Sequence, residues 1–280
     1  LPEEGELLGG RFLLLRLLGA GATGVVFEAL DEVARQRVAL KVLRPESVLG
    51  SGLERLRREV RLSRPGHPHV VRLNDLHEAD GFLLLSMELV DGESLAVRLS
   101  STRRCAVEEV VSLGRQVAGA LAYLHGNGLV HRDVKPGNLL LDARGSIKLC
   151  DLGLLRPVEH GLTLTVSELV VGTPAYMAPE QASGRDLTGA TDVYALGLTL
   201  WQALTGSVPL SGSTAVETLT RRQKERPPRL RPLRPDCPRW LERLLRRMLS
   251  PRAPDRPAAA EVEAALARTT FRPLPLPRSL

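Results

Sequence analysis

The chain has 280 residues, of which 43% are hydrophobic and 25% charged, a balance typical of a globular protein with one large domain or two lobes. No long uninterrupted apolar run occurs, so we expect no membrane-spanning helix in this chain, and aromatic residues are only 3%, which disfavours nucleic-acid binding despite a net charge of +6. The three cysteines are scattered and have no metal-binding spacing, which predicts a reducing, cytoplasmic location.

The first 90 residues are patterned mainly as short strands. Apolar stretches bounded by glycine or charged residues predict strands at residues 11–19, 24–30, 37–43, 70–78 and 81–89, the last two as a hairpin. A single stretch here has helical periodicity, with Leu53, Leu56 and Val60 on one face of a predicted helix at residues 51–63. The pattern indicates a small, β-rich lobe with one helix.

From about residue 93 the pattern becomes helical. Apolar residues at helical spacing predict helices at residues 107–128, 191–206, 237–250 and 257–268. The second of these is apolar nearly all round, which is typical of a helix buried at the centre of a lobe. Residues 269–280 are proline-rich and resemble the start of a linker. We therefore expect an α+β fold in which a small β-rich lobe precedes a larger, mainly α-helical lobe.

A glycine-rich stretch lies between the first two predicted strands. Gly19, Gly21 and Gly24 follow the pattern G-x-G-x-x-G, which is a weak signal by itself. Residues 25–27 continue as strand, whereas a dinucleotide-binding glycine turn leads into a helix, so that class of site is disfavoured. A glycine turn between two strands can instead place backbone N–H groups over a phosphate chain with no side chain in the way.

Lys41 is a charged residue inside an otherwise apolar predicted strand. Burying an ammonium group is costly unless an anion pairs with it, and Glu59 on the predicted helix is a natural partner. The alternative is that the side chain of Lys41 reaches solvent from an edge strand.

Residues 131–140, HRDVKPGNLL, concentrate polar side chains between a predicted helix and a strand-like stretch. Asp133, Lys135 and Asn138 stand close together there between apolar flanks, and such a polar group is not expected in a core. The spacing indicates a functional site that needs an acid, a cation and an amide together.

Five motifs, GAGATGVV, VALK, HRDVKPGN, DLG and APE, occur in the order and approximate spacing of the protein kinase superfamily. The stretches GTPAYMAPEQ and VDGESL are similar to those of bacterial, eukaryotic-type (Hanks-type) serine/threonine-protein kinases. The resemblance runs from about residue 11 to 268. It implies a bilobal kinase fold with an N-lobe at residues 11–90, a C-lobe at residues 91–268 and a tail or linker at residues 269–280.

The resemblance implies a non-specific serine/threonine-protein kinase that transfers the γ-phosphate of Mg-ATP to Ser or Thr hydroxyl groups. In phosphoryl transfer the protein mainly positions groups and compensates charge, which explains the polar stretch. Asp133 would orient the acceptor hydroxyl, and Lys135 would neutralise charge on the γ-phosphate. Asn138 and Asp151 would ligate Mg²⁺, with Mn²⁺ as an alternative. Lys135 and Thr173 match the protein kinases that phosphorylate Ser or Thr rather than Tyr.

The same resemblance implies an ATP-binding site. Lys41, held by Glu59, would bind the α- and β-phosphates. The backbone of Glu88 and Val90 would bind the adenine edge, and Glu93 would reach the ribose. The full set implied for ATP is Leu18, Gly19, Ala20, Gly21, Ala22, Thr23, Gly24, Val26, Ala39, Lys41, Glu59, Met87, Glu88, Val90 and Leu140.

The segment between DLG and GTP carries three hydroxyl residues, Thr163, Thr165 and Ser167. Arg132 needs an anion, and a phosphate on this segment would supply one, so we expect activation by autophosphorylation there; the alternative is an ordinary surface loop. Structural roles are implied for Arg132, Thr173, Glu180, Asp192 and Arg256. Glu180 and Arg256 would form a buried ion pair, and Asp192 would hold the backbone around His131, which we interpret as a packing residue.

Two departures from the family pattern lie near these motifs. Leu152 replaces the commoner Phe in DLG, and the stretch after Glu59 is one residue shorter than expected, which places the polar Ser63 where an apolar residue is usual. An apolar residue at position 152 still packs, so activity is not excluded.

Two other functions compete with a protein kinase. A pseudokinase would bind nucleotide or partners without catalysis, but Lys41, Asp133, Asn138 and Asp151 are all present. A small-molecule kinase of related fold would lack GTPAYMAPE and DRP, which resemble the peptide-binding apparatus. We therefore expect protein substrates, a homodimer during activation as in bacterial relatives, and neither nucleic-acid nor membrane contact within this chain. A membrane anchor could lie beyond residue 280.

Overall fold

The computed structural model describes residues 2–21, 24–43, 66–151, 174–182 and 187–268. The predicted helix at residues 51–63 and the proline-rich residues 269–280 lie outside this part of the chain. Among the described residues, those up to Asp91 form one compact unit and those from Gly92 onwards form another.

The unit up to Asp91 contains a six-stranded antiparallel sheet. Its strands are β1 Leu7–Leu8, β2 Phe12–Gly21, β3 Gly24–Asp31, β4 Gln36–Leu43, β5 Leu73–Ala79 and β6 Phe82–Glu88. Their spatial order is β1-β2-β3-β4-β6-β5. The five strands predicted from the sequence correspond to β2 to β6, with ends that differ by a few residues, whereas β1 was not predicted.

One face of this sheet carries an apolar core. Residues at alternate positions along the strands form a single buried cluster, namely Phe12, Leu14, Val25, Phe27, Ala29, Val38, Leu40, Val42 and Leu84. Successive side chains of a strand point to opposite faces, so Val26, Ala39 and Lys41 lie on the other face of the sheet. The alternation that predicted the strands therefore also decides which residues are available for a site.

The described residues of the second unit contain six helices and a small sheet. The helices are α1 Leu95–Thr102, α2 Val107–Gly126, α3 Gly189–Thr205, α4 Ala215–Lys224, α5 Arg239–Met248 and α6 Ala259–Ala267. The sheet consists of β7 Gly92–Ser94, β8 Leu139–Asp142 and β9 Ile147–Leu149 in that spatial order. Short 3₁₀ turns occur at Pro136–Asn138, Pro174–Tyr176, Pro179–Ala182 and Ala253–Asp255.

The central helix of this unit is α3, which packs against α2, α5 and α6. It is buried on nearly every side, and Tyr194 and Trp201 are among its buried residues, which agrees with its nearly continuous apolar sequence. The side chain of Thr188 accepts a hydrogen bond from the backbone of Ala190 at the start of the helix. Gly206, in the left-handed conformation with φ of 83°, ends it.

The described residues confirm the predicted fold class, an α+β protein with a β-rich first part and a helical second part. The four helices predicted after residue 93 correspond to α2, α3, α5 and α6, whereas α1 and α4 were not predicted. None of the helices in the described part of the chain has both the length and the apolar character needed to span a membrane.

Candidate active site

Residues 131–138 form the last part of the connection between α2 and β8 and end in the 3₁₀ turn at Pro136–Asn138. Buried and half-buried residues alternate along this loop: Val134 and Pro136 are buried, while Asp133 and Lys135 are half-buried. The apolar residues anchor the loop in the unit, and the polar residues between them stay accessible. The local sequence thus produces a loop that is anchored by buried residues and presents charged groups.

Asp133 lies at the centre of a hydrogen-bond cluster. Its Oδ2 accepts a hydrogen bond from Lys135 Nζ at 2.8 Å and another from Asn138 Nδ2 at 3.0 Å. The same Asn138 nitrogen also donates to the backbone oxygen of Asp133 at 2.8 Å. The structure therefore brings together the three polar residues singled out in the sequence, and two donors orient the carboxylate.

Asp151 follows the hairpin of β8 and β9. Leu139 pairs with Leu149 in this hairpin, and one residue further out the backbone N–H of Cys150 donates to the backbone oxygen of Asn138 at 2.9 Å. Asn138 and Asp151 are therefore near neighbours at the end of the hairpin. Asp151 has a φ of 54°, a left-handed conformation that is rare outside glycine and that concentrates at functional sites.

Asn138 and Asp151 fit a hard divalent cation. The amide nitrogen of Asn138 is already used on Asp133, so its amide oxygen is the atom that remains to act as a ligand. With a carboxylate oxygen of Asp151 this makes an all-oxygen donor pair, which suits Mg²⁺, an ion that uses few protein ligands and keeps phosphate oxygens and waters.

Asp192 on α3 holds the backbone of the loop. It is fully buried, and its carboxylate accepts hydrogen bonds from the backbone N–H of His131 at 2.8 Å and of Arg132 at 2.7 Å. A third contact, at 2.8 Å, joins the Asp192 carboxylate to His125 Nε2. Arg132 has a φ of 66°, and these bonds offset the cost of that left-handed conformation immediately before Asp133.

His131 is a packing residue in this loop. Burial lowers the pKa of its imidazole, although the charge of Asp192 acts in the opposite direction. Its Nε2 lies 3.0 Å from the backbone oxygen of Cys150, and its Nδ1 accepts from the backbone N–H of Asp133 at 3.3 Å. A neutral imidazole that donates at Nε2 and accepts at Nδ1 satisfies both contacts, so His131 connects the loop to the residue before Asp151.

Lys41 lies on the face of the first unit's sheet opposite to its core. In the strand register Lys41 pairs with Val26 on β3 and Leu85 on β6, and Ala39 pairs with Met87. Directly paired residues project to the same face, so Val26, Ala39 and Met87 share a face with Lys41. These are four of the residues that the resemblance implies for ATP.

The glycine turn joins β2 and β3. Gly24 has a φ of 154°, and a Cβ built on it would lie 2.1 Å from the backbone oxygen of Val42. A side chain is therefore excluded there by the close approach of β4. A Cβ on Gly19 would meet nothing within 4 Å, so the sheet itself does not require glycine at that position.

Residues 12–265 match the protein kinase domain family. The chain belongs to the protein kinase family.

This kinase domain is similar to serine/threonine-protein kinase PknA of Mycobacterium tuberculosis, with 39% identity over 244 residues that cover 85% of the chain and 56% of PknA. It is also similar to serine/threonine-protein kinase PrkC of Bacillus subtilis, with 33% identity covering 86% of the chain and 37% of PrkC. Serine/threonine-protein kinase pkn3 of Myxococcus xanthus is 36% identical, and the match covers 92% of the chain and 49% of pkn3. The predicted bacterial Hanks-type kinase domain is confirmed, and it spans 37% to 56% of the length of these curated relatives.

Several residues expected in the site lie outside the described part of the kinase domain. They are Ala22 and Thr23 of the glycine turn, Glu59, the hydroxyl residues Thr163, Thr165 and Ser167, and Thr173. Their roles stay predictions, as does the pairing of Lys41 with Glu59.

The residues expected around the adenine are placed on both units. Leu18 on β2 is 39% exposed, Val90 is half-buried after β6, and Leu140 is half-buried on β8. Within the first unit, the backbone N–H of Glu88 donates to the backbone oxygen of Arg72 at 3.0 Å.

Glu93, which we expected to reach the ribose, has a protein partner in the kinase domain. Arg98 Nε donates to Glu93 Oε1 at 2.7 Å, and Arg98 Nη1 donates to Glu109 at 3.3 Å. Arg98 was not predicted from the sequence as a partner of Glu93, although it lies only five residues further along the chain.

The turn at Pro179–Ala182 is joined to the end of the kinase domain. Glu180 accepts hydrogen bonds from Arg256 at 2.6 and 2.9 Å, the pair that the resemblance implied, and its Oε1 accepts another from Thr191 at 2.9 Å. Gln181 Nε2 donates to the backbone oxygen of Arg132 at 3.2 Å. Gln181 and His125 were missed as site-supporting residues, because their contacts join residues far apart in the sequence.

Proposed function

We propose that this kinase domain is an ATP-dependent enzyme that phosphorylates Ser and Thr hydroxyl groups of proteins. Its membership in the protein kinase family and the names of PknA, PrkC and pkn3 support this activity. The observation that carries the proposal is the cluster at Asp133, in which a cation and an amide hold one carboxylate oxygen.

In the proposed reaction the acceptor hydroxyl oxygen forms a bond to the γ-phosphorus as the bond from that phosphorus to the β,γ-bridging oxygen breaks. Asp133 accepts the hydroxyl proton, and ADP leaves with the bonding electron pair. Lys135 stabilises the negative charge on the transferred group from a position fixed by its bond to Asp133. Because Asn138 donates to Asp133, the carboxylate that accepts the proton is already oriented when the substrate binds.

A bound Mg²⁺ would neutralise charge on the phosphate oxygens. The amide oxygen of Asn138 and the carboxylate of Asp151 are the residues we propose to hold it. Lys41 is proposed to bind the α- and β-phosphates, and Val26, Ala39 and Met87, which share its sheet face, to contact the adenine.

Labelled ATP with a generic protein acceptor tests the activity. The wild-type domain should incorporate phosphate, and Asp133→Asn should lower kcat at least about a hundredfold, because general acid–base and positioning effects are of that size. Asp236→Asn is the control, because Asp236 is an exposed carboxylate paired with Arg234, and this variant should keep full activity. Nucleotide binding without incorporation by the wild type would indicate a pseudokinase, and transfer to small molecules alone would indicate a small-molecule kinase of related fold.

We also propose that autophosphorylation at Thr163, Thr165 or Ser167 activates the domain. The position of Arg132, one residue before Asp133 and fixed by Asp192, supports a pairing with phosphate close to the reacting groups. Mass spectrometry after incubation with Mg-ATP should find phosphate on this segment. Full activity with all three residues unmodified would exclude the switch.

A further inference from the structure

Arg222 on α4 is a fully buried arginine that the site described so far does not use. Its helix packs against the two 3₁₀ turns at Pro174–Tyr176 and Pro179–Ala182. Thr218, Leu219 and Arg222 form the buried side of α4, whereas Gln223 and Lys224 are exposed. A charged group therefore occupies the inner face of the helix, directed at the turns.

The guanidinium of Arg222 binds the main chain of the first turn. Nη1 donates to the backbone oxygen of Met177 at 2.9 Å, and Nη2 donates to that of Ala175 at 2.6 Å. The two acceptors lie on either side of Tyr176. One planar group with two donors thus fixes the relative position of two carbonyl groups, which a flexible single donor cannot do.

The same segment is also joined to the loop that carries Asp133. The hydroxyl of Tyr176 donates to Gln202 on α3. The backbone N–H of Ala178 donates to Gln181 Oε1 at 2.8 Å, and Gln181 Nε2 donates to the backbone oxygen of Arg132 at 3.2 Å. The main chain at residues 175–178 is therefore held between Arg222 and the residue immediately before Asp133.

Burial lowers the pKa of the Arg222 guanidinium, although Tyr194 and Tyr176 act in the opposite direction. A fully buried cation is costly to keep, and arginine is the side chain that stays protonated under that cost because its pKa is so high. The position thus retains a charged group that is costly to bury and that donates hydrogen bonds to the backbone of one short segment.

We propose that Arg222 is a positioning residue for the acceptor polypeptide, acting through the backbone of residues 175–177. Gln181 joins this segment to the backbone of Arg132, the residue before Asp133, and for this reason we take the segment as the surface along which the acceptor polypeptide binds. The inference rests on the proposed function, since it assigns the acceptor-binding step of that reaction. Nucleotide binding is not expected to depend on Arg222.

Three variants test the inference. Arg222→Met keeps an unbranched apolar stem and removes every donor. Arg222→Lys keeps the charge with a single ammonium group, and Arg221→Met alters the neighbouring arginine, which binds Glu225 and the Ser211 backbone. For Arg222→Met we expect KM for a peptide acceptor to rise about tenfold, the loss of one or two hydrogen bonds from a charged donor. KM for ATP and kcat should change less than about twofold, which separates acceptor positioning from chemistry.

Arg222→Lys should recover part of the loss in acceptor KM, and Arg221→Met should match the wild type. Thermal melting by circular dichroism identifies any variant that does not fold. If Arg222→Met does not fold, the acceptor KM of Arg222→Lys is compared with that of the wild type instead. An unchanged acceptor KM in folded Arg222→Met, or equal changes in acceptor KM, ATP KM and kcat, would overturn the inference.

Hydrogen exchange supplies a readout that does not need activity. Backbone amides of residues 175–181 should exchange faster in Arg222→Met than in the wild type, while those of α3 should not. If the wild type transfers no phosphate, the proposed function fails, yet the exchange measurement still decides whether Arg222 orders this segment. Unchanged exchange would refute the positioning role in either case.

Discussion

Lysine is rare in this chain, which contains four lysines and 34 arginines. Two of the four are Lys41 and Lys135, both expected at phosphate groups. The chain uses arginine for nearly every other cation, so lysine at these two positions indicates that a compact ammonium group is needed there. An ammonium is a point charge that can bind one carboxylate oxygen, as Lys135 does with Asp133, whereas a guanidinium is wider and binds in a fixed plane.

We predict that Lys135→Arg keeps the charge and lowers kcat at least about tenfold, because the planar fork cannot take the position of the ammonium beside Asp133. Steady-state phosphorylation of a peptide acceptor measures the effect. Lys224→Arg, at an exposed position near the end of α4, is the matched control and should leave kcat unchanged. Equal activity of all three proteins would show that the charge alone matters at position 135.

At the scale of elements, the glycines of the turn between β2 and β3 differ in why glycine is needed, although the sequence motif treats them alike. Gly24 is needed by the sheet, since β4 leaves no room for a Cβ, whereas Gly19 has open space around it. Any need for glycine at position 19 must come from something other than the sheet, such as a bound phosphate chain.

Gly24→Ala should lower the free energy of unfolding by roughly 1–3 kcal/mol, the cost of a strained backbone conformation, to which the contact with Val42 adds. Gly19→Ala should leave stability nearly unchanged and raise KM for ATP if the turn binds phosphates. Urea unfolding and ATP kinetics of the two variants measure these effects. A stable Gly24→Ala variant would show that β4 can move away at that point.

The helices differ in how far their sequences predict them. α3 is apolar nearly all round and α5 alternates leucines with arginines at helical spacing, so both were predicted. α4 is mostly polar and places Arg222 on its buried face, which removes the apolar stripe that a periodicity search needs. α1 is only eight residues long, too short for periodicity to separate it from a loop.

At the scale of the whole molecule, the second unit is held by polar pairs between distant residues. Arg256 and Glu180 are 76 residues apart in the sequence, and the side chain of Arg256 is fully buried. Arg256 also donates to the backbone of Ser250 and Ala190, and its guanidinium lies 4.6 Å from the centre of the Tyr194 ring. One side chain thus joins the turn at residues 179–182 to α3 and to the approach to α6.

Arg256→Ala should lower the free energy of unfolding by about 3–5 kcal/mol, because it leaves the buried Glu180 carboxylate without its main cation. Arg252→Ala is the control, since Arg252 is 79% exposed and lies 3.9 Å from Asp255, and its effect should stay below about 1 kcal/mol. Denaturant unfolding followed by tryptophan fluorescence compares them. Equal stability of the two variants would contradict a structural role for the pair.

The sequence by itself determined the β-rich and helical parts and the closeness of Asp133, Lys135 and Asn138, and its motifs indicated the family. The first two depend on residues that are near each other in the chain, where strand alternation, helical periodicity and turn residues act directly, whereas the family was indicated by the order and spacing of motifs along the whole chain. Only the tertiary structure decided the contacts of His125 with Asp192, of Gln181 with Arg132 and of Arg222 with residues 175–177. These contacts arise when separate elements pack together, and no local pattern specifies which polar side chain will meet which backbone group.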